Sequence, residues 1–151
     1  MFDRIRALLA GTMSELESES ELRISVASLL AEAACVDGQF DERERTKIAA
    51  LLSQRFGLSH EESERLLDAG ERAERSSLHI YRFTHLLVQH LGVERRIEII
   101  EMLWEVAYAD GNPDPDEDML IGKIAGLLYV TDRERGTARR RVLKLNESLT
   151  N

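Results

Sequence analysis

Apolar residues recur along this chain at intervals of three and four, and no stretch alternates strictly between apolar and polar. That rhythm predicts helices and no strands. Phe2, Ile5, Leu8 and Leu9 make a short apolar stripe, a first helix that Gly11 would end. Residues 12–21 are polar, carry four glutamates and read as a linker. From about Glu21, Leu22, Val26, Leu29, Leu30 and Ala33 fall at helical spacing, and the turn dipeptide Asp37-Gly38 stops that helix. A helix from Asp41 carries Ile48, Leu51, Leu52 and Phe56, and Gly57 ends it. Ser59-His60-Glu61-Glu62 has capping-box spacing and starts another helix, through Leu66 and Leu67 to about Ala69. Ser76 or Ser77 caps a segment with Ile80, Phe83, Leu86, Leu87 and Leu91, broken at Gly92. Helices are then predicted over residues 93–109, 114–129 and 132–145.

The strongest signal is a repeat. Glu32, Asp37, Gly38, Asp41 and Glu44 return 73 positions later as Glu105, Asp110, Gly111, Asp114 and Glu117. Both copies read E-x4-D-G-x2-D-x2-E. Laying residues 23–58 on 96–131 gives ten identities, among them Arg23/Arg96, Leu30/Leu103 and Ile48/Ile121. Duplicated helical units with several shared apolar positions bury matching faces. The predicted fold is therefore a compact all-α bundle of seven to eight helices. Two helix–Asp-Gly elbow–helix repeats, about 22–58 and 95–131, pair about a pseudo-two-fold axis with a hydrophobic seam between them. Residues 1–20 form the N-terminal helix and polar linker, and 21–151 form a single domain.

Charge narrows the function classes. The 151 residues carry a formal net charge of -8, which disfavours nucleic acid and anionic membrane and favours cations or basic partners. No run reaches the roughly 20 apolar residues of a membrane span, so direct insertion is not expected. Asp3 and Arg4 interrupt the N-terminus early, unlike a secretory signal. Cys35, the lone cysteine, allows no internal disulfide and sits among small apolar residues as a core position would. A reducing cytoplasm fits. Oligomeric state is not legible.

The elbow carboxylates support two readings. Asp41 with Glu44, and Asp114 with Pro115 and Glu117, have N-cap, N1 and N3 spacing, so helix capping explains them, at about 1 kcal/mol per helix. Asp37 and Asp110 suit turn positions. Capping has no use for Glu32 and Glu105, which lie inside helices beside apolar neighbours and need a partner or a metal. From Ile97 to Gly122 there are eight acids and no Lys, Arg or His. Such a concentration suits a hard divalent cation. The candidate metal ligands are thus Glu32, Asp37, Asp41, Glu44, Glu105, Asp110, Asp114 and Glu117, and the candidate ions are Ca²⁺, Mg²⁺ and Zn²⁺. An EF-hand is excluded, because Glu117 stands where that loop needs glycine and Lys123 where it needs glutamate.

The doubled A-x-x-D-G-x-x-D-x-x-E elbow, in an acidic helical chain of this length, resembles the TerB family of tellurite-resistance proteins. It is also similar to the TerB-like domain at the start of membrane-anchored DnaJ-type co-chaperones. The resemblance spans roughly residues 20–146 and rests on Asp37, Asp41, Glu44, Asp110, Asp114 and Glu117. It implies a helical bundle with a negative surface around the elbows, a link to tellurite or stress resistance, and metal binding through the acidic residues.

Other chemistry finds little support. His79 and His90 share a helix face but stand three turns apart, too far for one metal. His60 and His85 lack any zinc-site context. No nucleophile elbow and no phosphate loop occur, so no enzymatic activity is expected. The basic last helix, with Arg139, Arg140 and Arg141, either docks an anionic partner or balances the acidic elbows. Asp116 and Asp118 are candidates for binding a basic protein partner. The expectation is a non-catalytic, cytoplasmic stress or tellurite-resistance protein whose elbow carboxylates stabilise the fold and hold a divalent cation. The alternative is an acidic interaction module without metal.

Overall fold

The computed structural model describes residues 13–34, 42–72, 77–109 and 111–150. The stripe over Phe2–Leu9, Cys35 and the Asp37-Gly38 corner lie outside them. Seven helices run in order: α1 Met13–Ala34, α2 Glu42–Phe56, α3 His60–Arg72, α4 Ser77–His90, α5 Val93–Ala107, α6 Pro115–Leu127 and α7 Asp132–Thr150. No strand occurs among the described residues. Two boundaries differ from expectation. Residues 13–20, read as linker for want of apolar period, are helical, since Met, Leu and Glu are good helix formers even without an apolar face. The last helix also continues past Leu145 to Thr150.

α1 is the central element and packs on α2, α3, α4, α5 and α6. Every residue from Ser25 to Ala31 is buried, the pattern of a helix with no solvent face. Its two buried serines are satisfied locally: Ser25 and Ser28 donate to the carbonyls of Glu21 and Ile24, each at 2.8 Å. Leu29, Leu30, Ile100, Leu103 and Trp104 are essentially inaccessible. Each large apolar side chain so buried contributes about 1.5–3 kcal/mol, so the α1–α5 seam outweighs any single cap.

The helix packing maps onto itself when α1–α2–α3 is exchanged with α5–α6–α7. The pairs α1·α2 and α5·α6 correspond, as do α1·α3 and α5·α7, α2·α3 and α6·α7, and α2·α5 and α1·α6. The pair α1·α5 corresponds to itself. The repeat therefore contains three helices, one more than the elbow motif announced. Its third helices start alike. Ser59 and Thr131 are N-caps, with Glu62 N and Glu134 N each donating to the cap hydroxyl at 3.1 Å. In return Ser59 N and Thr131 N donate to the Glu62 and Glu134 carboxylates. Both carboxyls are held below their usual range. For Glu62 the cause is Ser59, first through its side chain and then its backbone; for Glu134 it is Thr131, with the backbone first.

The second helices end alike as well. Gly57 (φ 65°) and Tyr129 (φ 55°) are left-handed, and the next residue's N–H closes the helix, Leu58 N onto Ser53 O at 3.1 Å and Val130 N onto Ala125 O at 2.9 Å. Glycine takes this conformation freely, whereas tyrosine does so at a cost of about 1–2 kcal/mol. Arg23 and Arg96, identical across the repeat, both serve this end. Arg23 lies over the Phe56 ring at 5.8 Å. Arg96 donates to the Leu128 carbonyl at 2.7 Å, where a cation also meets the negative end of the α6 dipole. Among the described residues, no helix is long and apolar enough to cross a membrane.

Candidate functional site

The second elbow shows how its carboxylates are employed. α5 ends at Ala107, Gly111 turns the chain at φ 116°, and Asp114 takes the extended N-cap conformation. Asp114 Oδ1 accepts from Glu117 N at 2.9 Å, and Asp114 N donates to Glu117 Oε1 at 3.4 Å. Pro115 occupies the first helical position, where its missing N–H is no loss. The capping reading of Asp114 and Glu117 thus holds. Asp116 and Asp118 point to solvent beside Met119, which is 72% exposed.

Glu105 has the partner that its position demanded. Arg55 Nη2, arriving from α2, donates to Glu105 Oε1 at 2.8 Å and lies 3.7 Å from Glu101. Arg141 of α7 donates to Glu101 Oε1 at 3.1 Å. Two arginines from two helices therefore neutralise two glutamates of α5. The Glu101, Glu105 and Arg55 side chains are at most 29% exposed, so the pairing is shielded enough to matter. Of the basic residues singled out on α7, Arg139 lies over Trp104 at 5.2 Å and donates to Tyr108 Oη at 2.6 Å. Arg140 bonds Thr137 on its own helix. Internal counter-charge accounts for Arg141 and packing for Arg139.

In the first copy, Glu32 is half-buried near the end of α1 and Glu44 is buried in the first turn of α2. Asp37, Asp41 and Asp110 lie outside the described residues. No three His, Cys, Asp or Glu among the described residues gather as metal ligands would. His60, His85 and His90 are exposed. Among the described residues of the second elbow, Asp114 and Glu117 serve the start of α6 and Glu105 pairs with Arg55.

A groove of about 820 Å³ runs between α2 and α7 over the end of α5. Lys47, Ala50, Leu51, Gln54 and Arg55 form one wall, Val142, Leu145 and Asn146 the other, and Glu105, Tyr108 and Ala109 the floor. Sequence reasoning missed this groove and the Arg55–Glu105–Glu101–Arg141 line. The acidic run over 97–122 signalled that counter-charges must come from elsewhere, but nothing local named Arg55, 50 residues before Glu105.

Against known proteins, a family model described as tellurite resistance protein TerB matches residues 23–140. Searches of curated proteins and of solved structures return no match.

Proposed function

The chain belongs to the TerB family of tellurite resistance proteins, and on that premise we propose that it acts by binding a protein partner and not by catalysis. The observation that carries this reading is the division of labour among the second-elbow carboxylates. Asp114 and Glu117 are occupied at the helix end, and Glu101 and Glu105 by arginines. Asp116 and Asp118 remain exposed, with no ion pair among the described residues, on either side of the turn that presents Met119. An acidic, partly apolar patch of this kind suits a basic partner with an apolar contact of its own. In this proposal the elbow carboxylates stabilise the fold, and no divalent cation is required. A cytoplasmic location completes it, supported by the use of a single cysteine.

Two measurements test the proposal. Cells protected against tellurite by the wild-type protein should lose that protection with Asp116→Asn/Asp118→Asn, in a protein that still melts cooperatively. Full protection by the variant would sink the reading. Calorimetric titration with Ca²⁺, Mg²⁺ and Zn²⁺ separates it from its rival. Heat of binding together with a melting temperature that chelator lowers would restore the cation site, with Asp37, Asp41 and Asp110 as its first suspects.

A further inference from the structure

The exchange that superposes the two units leaves one helix without a counterpart among the described residues. α4 packs on α1 and α6, and neither contact has a mate. Exchanging the units converts α1 into α5 and α6 into α2. The seat that corresponds to that of α4 is therefore bounded by α5 and α2, and the groove of about 820 Å³ lies there. α4 shows what such a seat takes. Its buried residues are Ile80, Thr84 and Leu87, one face of an amphipathic helix whose Tyr81, Arg82 and His85 are left to solvent.

The groove is also built out beyond the repeat. Counted from the caps at Ser59 and Thr131, Lys144 corresponds to Arg72, where α3 ends, yet α7 runs on to Thr150. Leu145 and Asn146 begin that extension and form the far wall, with Leu145 57% exposed. The near wall is more polar than its equivalent. Leu51 matches Ile124, but Lys47 stands where α6 has Leu120. Lys47 is exposed and has no ion pair among the described residues, whereas the groove's other cation, Arg55, is engaged by Glu105.

We propose that this groove takes an amphipathic helix of a partner protein, seated as α4 is seated. Its apolar residues fall at i, i+4 and i+7, and it sets an acidic residue against Lys47. Helix-in-groove recognition rests on anchors of that spacing, and opposite charge fixes the orientation. With Lys47 in place of a leucine, the groove offers less apolar area than the seat of α4, so the partner associates reversibly. The groove lies on α2, α5 and α7 and is a contact additional to Asp116 and Asp118 on α6.

Fluorescence anisotropy with the full chain and labelled synthetic peptides tests the proposal. One peptide is the α4 sequence itself, residues 77–91. The other carries Tyr81→Glu and His90→Glu, one acid on each flank of the apolar stripe. Both should bind with Kd below about 0.1 mM, the acidic peptide about threefold tighter. Leu145→Asn and Ala50→Gln, neutral changes at exposed groove positions, should each weaken both peptides about tenfold, and Val93→Asn outside the groove should not. Lys47→Glu should reverse the order of the two peptides. Absence of saturable binding would overturn the proposal. So would binding that Leu145→Asn and Ala50→Gln leave intact, or a preference that Lys47→Glu leaves unchanged. Self-association in sedimentation that Leu145→Asn abolishes would overturn it as well, by giving the groove to a second copy.

Discussion

The two repeat units share a plan and fill it with different volumes. In the first, α1 presents Ala27 and Ala31 where α5 presents Ile100 and Trp104. The third helices answer in kind. Gly70 of α3 lies so close to α1 that an added Cβ would meet Ala27 C at 2.9 Å and Ser28 N at 3.0 Å. Its counterpart on α7, counted from the matching caps, is Val142, which is fully buried. Leu67, inaccessible on α3, corresponds to Arg139, which lies over Trp104 and Tyr108. Small residues on one helix thus permit close approach, and large ones on the other hold the third helix off. Close packing can be kept through duplication only if partners change together.

The most damaging way to break this comparison is to place the second unit's residue in the first. Gly70→Val should cost about 3 kcal/mol in urea unfolding, because the clash is with backbone that cannot yield. A loss below about 0.5 kcal/mol would show that α3 has room to move and that the volume argument is wrong. Next comes the difference in charge pairing. Arg55→Met leaves two shielded glutamates unpaired and should cost about 2 kcal/mol. Arg45→Met, which releases the more exposed Glu64 and Asp68, should cost only about 0.5 kcal/mol. Equal losses would show that burial is not what distinguishes the pairs. Third, Arg96→Ala should cost about 1 kcal/mol through the lost Leu128 contact, and Arg23→Ala about half that through the lost ring contact, by thermal melts.

The smallest effect should be the same in both units. Glu62 and Glu134 titrate below the ordinary 4.5 in the folded chain, so the unfolded chain takes up protons first as pH falls. Their contribution is complete above about pH 5 and is lost as pH falls through the folded values. Glu62→Gln and Glu134→Gln should each flatten the acid limb of the stability curve by a similar amount.

Local features were legible and distant ones were not. Ser59–Glu62 and Asp114–Glu117 were readable as caps because their partners are three residues apart. Thr131–Glu134 carries the same signal and could have been read the same way. Glu105 could be recognised as needing a partner, but Arg55 could not be named, because tertiary packing alone brings α2 to α5. Both third helices are legible, but their membership of the repeat is not, because the offset slips from 73 at Asp41/Asp114 to 72 at Ser59/Thr131 and identity fades beyond the slip. The helical state of residues 13–20 carries no apolar period to betray it. Of the proposed ligands, Asp114 and Glu117 serve a helix start and Glu105 an arginine, and three aspartates lie outside the described residues.

The slip falls in the last helical turn, between Leu52/Ala125, still 73 apart, and the exits Gly57/Tyr129, already 72 apart, where the backbone reverses hand and the following N–H locks the turn. There a residue can be gained or lost without rotating the buried face of the helix before it, and the next cap restarts the count. These exits are the natural splice points of the architecture. A short polar insert after Tyr129, itself 72% exposed, should be accommodated, while the same insert in the middle of α6 would turn Ile124 and Ala125 away from the core.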